Sequence, residues 1–279
     1  MEPALLPGDG ILVSKIHYGP RIDLNSFFSS NNEKIGLRLP GVSEVKRGDI
    51  IVFNSPLDYS TNIVKRCVAL PGDTLEIKNS RLFINNLPVR NISTLFSFKV
   101  ISSDTASIDK FLSVFKISVD SSRFSQKKNI YYLSMSNLNA EKLSQIKGID
   151  TILKITAPII ENGELFLKSP QINWTKENYG PLVIPKKGTQ IILNNESLPM
   201  YAAILKFEQK SIRFKQNAVY LNNKVITSYT LRNNYYFVMG DNRDHSYDSR
   251  WIGFIPYNLI IGKAVYILFS EGRLFKKIE

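Results

Sequence analysis

The stretch Gly240–Gly253 reads GDNRDHSYDSRWIG and decides most of what this sequence predicts. It directly follows Tyr235–Met239, an apolar run with the composition of a buried strand. We call the stretch the GDNRD box; its carboxylates, guanidinium groups and hydroxyls make it too polar for a core strand. A lone Gly-Asp-Asn is a common turn, whereas the complete box is highly specific. The box therefore predicts a fixed polar cluster, either a functional site or a surface loop of salt bridges.

A second unusual feature is the pair Lys65-Arg66, which interrupts the apolar run Ile63–Leu70. Alternation along a strand places Lys65 on the same face as Ile63 and Cys67, an apolar setting for an ammonium group. Burial there disfavours the charged form, and a lysine whose pKa falls toward neutrality can act as a general base. Judged on this run alone, an edge-strand lysine whose amine reaches solvent is the preferred interpretation.

These segments together resemble the type I signal peptidases, which are Ser-Lys serine proteases. In that family a strand ending in Lys-Arg is followed by a Pro-Gly-Asp turn, as here at Pro71-Gly72-Asp73. The preceding run, Arg47 to Phe53 (RGDIIVF), resembles the family's Arg-Gly-Asp-aliphatic strand. The N-terminal run Met1–Asp9 (MEPALLPGD) resembles the family's Ser-Met-x-Pro box from its second residue onward.

The resemblance implies a role for each matching residue. Lys65 would be the general base, Arg66 its structural neighbour, and Ser246 would hydrogen-bond to the Lys65 amine and orient it. Met1 and Pro3 would line the substrate groove. No metal or cofactor is required. Four residues of the GDNRD box would form ion pairs that hold the box in place: Asp241, Arg243, Asp248 and Arg250.

The family's nucleophile is the serine before that methionine, and this sequence starts at Met1. Either the reading frame begins inside the motif, or the chain is a genuine homologue without a nucleophile. We favour the first explanation, because Lys65, Ser246 and the ion-pair residues are all kept. A serine is then expected immediately before Met1, with a membrane anchor further upstream. Without that serine the chain as given is expected to be inactive.

Strand and turn signals predict a mainly β protein. The runs Ile11–Lys15, Asp49–Phe53 and Asn62–Leu70 adjoin Gly-Asp or Pro-Gly-Asp turns, a spacing that favours antiparallel sheet. Asn-Asn at 85–86 and again at 222–223 predicts two tight hairpins, because asparagine tolerates the left-handed conformation. The resemblance adds the fold class: mainly β with an α+β insertion, an antiparallel β catalytic core of the signal-peptidase type plus an inserted second domain.

We expect residues 1–75 and 235–279 to form the β catalytic core and residues 76–234 the inserted second domain. Within the insert, alternating strand and helix patterns predict a βαββαβ unit at about residues 95–158. They include a helix from Thr105, with Asp104 as its N-cap, and a strand at Val114–Val119. An irregular β decoration with two surface helices is the alternative.

Composition narrows the function classes. The 36 basic residues exceed the 24 acidic ones, giving a formal net charge of +12 that suits nucleic acid or anionic lipid. A single cysteine excludes an intramolecular disulfide. A Ser-His-Asp enzyme would have to use His17 or His245, and His245 is interpreted as a loop residue. No apolar run approaches the roughly 20 residues that span a bilayer.

The resemblance implies an endopeptidase that removes N-terminal signal peptides from secreted preproteins. Its substrate would bind as an extended strand, with small residues before the cut. The protein would be membrane-associated, with its catalytic domain on the extracytoplasmic face of the bacterial cytoplasmic membrane and Phe27 and Phe28 as candidate lipid contacts. No nucleic acid partner is expected. The alternatives are a catalytically silent homologue that binds extended peptides and, ranked last, a self-cleaving DNA-bound repressor, since no helix-turn-helix pattern is present.

Overall fold

The structure, a computed structural model, describes most of the chain: residues 1–22, 37–89, 94–117, 119, 129–155, 173–209, 211–215, 218–270 and 273–278. The chain divides into two units, each with its own core. The first unit comprises Met1–Pro7, Arg90–Gly163 and Gly240–Ser246, and the second comprises Gly8–Val89, Glu164–Met239 and Tyr247–Glu279. The predicted division into core and insert stays a prediction, and Phe27 and Phe28 lie outside the described residues.

Strands dominate the described residues. In chain order they are β1 (Gly10–Ser14), β2 (Arg21–Ile22), β3 (Leu37–Arg38), β4 (Ile50–Asn54), β5 (Asn62–Ala69), β6 (Thr74–Lys78), β7 (Arg81–Ile84), β8 (Leu87–Pro88), β9 (Phe96–Ser102), β10 (Ile130–Met135), β11 (Ile149–Lys154), β12 (Tyr179–Val183), β13 (Gln190–Ile192), β14 (Ile212–Lys215), β15 (Ala218–Leu221), β16 (Lys224–Ile226), β17 (Ser228–Thr230), β18 (Tyr235–Met239), β19 (Ile255–Pro256), β20 (Ile260–Phe269) and β21 (Lys276–Lys277). The named strands pair antiparallel throughout, so the expected mainly β fold is confirmed.

Helices are fewer and shorter. They are α1 (Thr105–Phe115), α2 (Asn137–Ser144), α3 (Leu198–Glu208) and α4 (Ser249–Ile252), with 3₁₀ turns at Arg243–His245 and Tyr257–Leu259. No helix in these described ranges combines the length and the apolar character needed to cross a membrane.

The largest sheet belongs to the second unit. Its strand order is β1-β20-β4-β5-β18-β19, and β21 pairs with β20. Along β18, Tyr236 and Val238 enter one apolar cluster, whereas Phe237 and Met239 enter another. The strand is therefore buried on both faces, which explains why its sequence is a continuous apolar run rather than an alternating one.

The local predictions for this unit are confirmed. Strands β1, β4 and β5 begin and end within one residue of the predicted runs. Both hairpins turn through left-handed asparagines: Asn85 and Asn86 have φ of 52° and 65°, and Asn222 and Asn223 have φ of 50° and 65°. These turns could be predicted from the sequence because their conformation depends only on neighbouring residues.

The first unit contains a three-stranded sheet with the order β10-β9-β11. Asp104 caps α1 as predicted, since its side chain accepts a hydrogen bond from the Ser107 N–H. The predicted start of a strand at Val114 is wrong, because α1 continues to Phe115. The rings of Phe111 and Phe115 lie 4.4 Å apart across one helical turn, and this packing outweighs the strand-like alternation.

Candidate active site

Lys65 lies in the middle of β5, opposite Ile51 of β4. Ile63 and Cys67, two positions away on either side, belong to the same apolar cluster. The Lys65 side chain therefore extends from an apolar face of the strand. Burial lowers the pKa of Lys65, and the negative charge of Asp248 opposes this with a smaller effect. A lysine accepts a proton only when neutral, so the pKa moves in the direction that a general base requires.

Arg66 and the turn after β5 form hydrogen bonds that fix the loops next to that strand. The Arg66 Nη1 donates a hydrogen bond to the Gly48 carbonyl at 2.8 Å. The Asp73 carboxylate accepts from the Leu70 N–H at 2.7 Å and from Arg47 Nη2 at 2.8 Å. Burial alone would raise the pKa of Asp73, but these hydrogen bonds and the Arg47 charge bring it below its ordinary value. Asp73 therefore stays ionised and holds the turn closed.

The second half of the GDNRD box contains a buried ion pair. Arg250 binds Asp248 through two hydrogen bonds, Nε to Oδ1 and Nη2 to Oδ2, each 2.9 Å long. Asp248 also caps α4 by accepting from the Arg250 N–H. The Ser249 Oγ accepts from the Val238 N–H of β18 at 2.9 Å. Charge-assisted, two-point contacts of this kind fix orientation strongly.

The first half of the box, Gly240–Ser246, belongs to the first unit. Ser246 is buried, and its Oγ accepts a hydrogen bond from the Gly240 N–H at 3.1 Å, which links the two ends of the segment. Residues Asp241 and Arg243 are 0% and 5% exposed. Their predicted bracing role stays a prediction.

The N-terminal residues form a turn in the same unit. The Leu5 N–H donates to the Met1 carbonyl at 3.1 Å, and Met1 is half-buried while Pro3 is exposed. The Glu2 carboxylate accepts a hydrogen bond from Asn242 Nδ2 at 3.3 Å. The turn therefore contacts the GDNRD box directly.

The predicted site residues thus fall into two groups. One group, Lys65, Arg66, Asp248 and Arg250, belongs to the second unit, whereas Met1, Pro3, Asp241, Arg243 and Ser246 belong to the first. The catalytic, supporting and groove roles assigned to them stay predictions.

Sequence reasoning missed a buried polar cluster around Asp49. Its carboxylate accepts from the Tyr18 hydroxyl at 2.7 Å and from the Lys46 N–H at 2.9 Å, and Lys263 Nζ lies 2.5 Å away. Burial, together with the bond to Asp49, raises the pKa of Tyr18. The sequence shows Asp49 only as part of the Arg-Gly-Asp run, because a partner 214 residues away leaves no local signal.

Known proteins resemble this chain over most of its length. The profile of the family described as "Signal peptidase, peptidase S26" matches residues 1–171 and 183–269. The signal peptidase I of Buchnera aphidicola subsp. Baizongia pistaciae (strain Bp) is 32% identical over 274 residues, which cover 96% of this chain and 66% of that protein. The signal peptidase I of Buchnera aphidicola subsp. Acyrthosiphon pisum (strain APS) is 29% identical over 273 residues, covering 98% of this chain and 66% of that protein.

The crystal structure of a signal peptidase I from Enterococcus faecalis V583 is 16% identical, with a TM-score of 0.30, and the match covers 80% of this chain and 98% of that one. This chain spans just under two thirds of the length of both Buchnera relatives, 66% in each case. Because the family profile matches nearly all of the sequence, the chain belongs to the signal peptidase family, peptidase S26.

Proposed function

We propose that this protein is a signal peptidase I-like serine endopeptidase, which cleaves N-terminal signal peptides from secreted preproteins with a Ser-Lys dyad. The observation that carries the proposal is the partial burial of Lys65 on the apolar face of β5, which lowers the pKa of its amine. Membership of the signal peptidase family supplies the reaction class. The activity, substrates and partners of the whole protein are part of the proposal.

In this mechanism a serine directly before Met1 is the nucleophile. Neutral Lys65 takes the proton of the serine hydroxyl as the oxygen attacks the scissile carbonyl. The protonated Lys65 then gives that proton to the leaving amine, and an acyl-enzyme remains. Lys65, neutral again, deprotonates a water molecule that attacks the acyl carbonyl. Lys65 then gives this proton to the leaving serine oxygen, which releases the acid product and regenerates the serine. Ser246 orients the Lys65 amine, and Arg66, Asp241, Arg243, Asp248 and Arg250 support the site.

The proposed substrate is a preprotein whose signal peptide binds as an extended strand beside Met1 and Pro3. Main-chain hydrogen bonds would provide affinity, and shallow pockets would select small residues at the first and third positions before the cut. The proposed place of work is the extracytoplasmic face of the bacterial cytoplasmic membrane. The basic excess of the chain suits such an anionic surface.

The test compares two proteins that differ only in the residue placed before Met1, serine in one and alanine in the other. We expect the serine form to cleave a preprotein with an Ala-x-Ala site, and the alanine form to leave it intact. Lys65→Ala in the serine form should lower kcat/KM by a factor on the order of 10⁴ or more. Lys78→Ala is the matched control, since Lys78 is an exposed lysine on β6, the next strand along the chain, and this variant should retain full activity.

The pH profile provides a second readout. Activity requires neutral Lys65, so kcat/KM should rise with pH through the pKa of Lys65, at a pH below the 10.5 of an ordinary lysine. Cleavage by the alanine form, or undiminished cleavage by Lys65→Ala, would refute the dyad. If the serine form binds the preprotein without cutting it, the chain is the silent peptide-binding homologue instead.

A further inference from the structure

We propose that Ser97 is a positioning residue: it holds the segment Gly240–Ser246 on the three-stranded sheet of the first unit and thereby sets the place of Ser246. The inference rests on the proposed function, in which Ser246 orients the Lys65 amine. Its structural part lies entirely within the first unit.

Ser97 makes two hydrogen bonds to consecutive residues of this segment. Its backbone N–H donates to the Asp244 Oδ2 at 2.7 Å, and its Oγ is hydrogen-bonded to the His245 Nε2 at 3.1 Å. Asp244 and His245 are the two residues directly before Ser246. Ser97 therefore contacts the segment next to the side chain whose position matters.

Backbone hydrogen bonds support the same attachment at Leu95, the residue directly before β9. The Leu95 N–H donates to the Asp241 carbonyl at 2.8 Å, and the Arg243 N–H donates to the Leu95 carbonyl at 2.9 Å. These bonds form an isolated parallel bridge between Leu95 and Asn242. The segment is thus attached by its backbone directly before the start of β9.

The strand that carries Ser97 is itself fixed. Its neighbours Phe96 and Phe98 are buried in the core of the first unit. Ser97 pairs with Ser134 of β10, and its carbonyl accepts from the Ile155 N–H at 2.9 Å. A contact made from such a rigid element restricts the position of its partner more than one made from a loop.

The bond from Ser97 to Asp244 is buried, and the bond to His245 is partly buried. Ser97, Asp244 and Ser246 are 6%, 7% and 4% exposed, respectively. Losing the bond to His245 removes one of the two fixed points of the segment, so residues 240–246 should loosen. Misplacement of a catalytic group by about 1 Å costs up to about 100-fold in rate. A modest loosening of the segment should therefore lower kcat.

The test replaces Ser97 by alanine in the serine form described above, which removes the Oγ bond to His245 and keeps the backbone N–H bond to Asp244. We expect amide hydrogen exchange in residues 240–246 to become about fivefold faster, the typical effect of one hydrogen bond. We expect kcat to fall about tenfold with little change in KM, because the lost alignment matters in the transition state. His245→Ala removes the same Ser97 Oγ–His245 Nε2 bond from its exposed partner. The double variant Ser97→Ala with His245→Ala should therefore resemble either single variant.

Ser102→Ala is the matched control. Ser102 is also a buried serine of β9, and its hydroxyl donates to the carbonyls of Asp104 and Gly148 at 2.9 Å, away from the GDNRD box. Its loss should destabilise the fold without changing exchange in residues 240–246 or kcat. A general loss of stability would affect both variants alike.

The two proposals can fail separately. If no form cleaves a preprotein, the proposed function fails, whereas the exchange measurement still tests the attachment. Unchanged exchange in residues 240–246 of Ser97→Ala would overturn the inference. A kcat equal to that of Ser102→Ala would overturn it as well, even if exchange had risen.

Discussion

At the scale of the residue, the apolar surroundings of Lys65 lower the stability of the folded protein and favour the neutral amine that a general base requires. Because burial lowers the pKa of Lys65 below 10.5, the unfolded chain binds more protons than the folded one between the folded pKa and 10.5. Stability therefore rises with pH across that window. Below the folded pKa the cost of the buried ammonium is fully present. A lysine kept at such a cost is typical of a functional site.

We expect Lys65→Met to raise the free energy of unfolding at neutral pH by about 1 kcal/mol, because the stem is kept and the charge is removed. The increase of stability with pH toward 10.5 should also flatten. Urea unfolding at several pH values measures both effects. Lys78→Met, at an exposed position of β6, should change neither. Lower stability of Lys65→Met would instead mark Lys65 as a well-compensated structural residue.

At the scale of the element, short pieces of structure depend on side-chain contacts. Helix α4 has 4 residues, too few to be stable alone, so the Asp248–Arg250 pair and the Ser249 bond to β18 must hold it. Both partners of the pair are buried, with side chains 0% and 3% exposed. Removing one partner of such a pair is costly, because the other charge is left uncompensated.

Arg250→Met should therefore lower the free energy of unfolding by about 3–5 kcal/mol. Replacing the acid as well, in Asp248→Asn with Arg250→Met, should recover a large part of that loss, since no unpaired charge remains. Chemical denaturation measures each variant. The comparison pair is Lys78–Glu76, where the lysine side chain is 58% exposed and Lys78→Ala should cost less than about 1 kcal/mol. Equal losses for Arg250→Met and Lys78→Ala would contradict the structural role of the buried pair.

Elements also show where sequence reasoning succeeds. Strands β4 and β5 and the Asn85-Asn86 turn were predictable because their signals are local. Alternation placed Lys65 on the apolar face of its strand, but the edge-strand interpretation preferred for that run alone was wrong, because β5 lies between β4 and β18. The end of α1 was not, since ring packing at Phe115 decides it. The bond from Ser97 to Asp244 joins residues 147 positions apart, and no sequence pattern in either segment predicts that they are in contact.

At the scale of the whole molecule, the relevant quantity is charge. The 36 basic and 24 acidic residues give a formal net charge of +12, and the basic residues are spread along the chain. Such a field attracts anionic surfaces without specifying one. Under the proposed function, this excess would draw the protein toward anionic lipid headgroups at the membrane surface.

We expect the protein to co-sediment with vesicles of phosphatidylcholine that contain phosphatidylglycerol, and much less with pure phosphatidylcholine. Raising salt from 0.1 M to 1 M shortens the screening length from about 10 Å to about 3 Å, so binding should largely disappear. Equal binding to both vesicles, or binding that ignores salt, would contradict an electrostatic attraction. Tight binding to duplex DNA at physiological salt, with weak binding to the charged vesicles, would instead indicate that the basic excess serves nucleic acid.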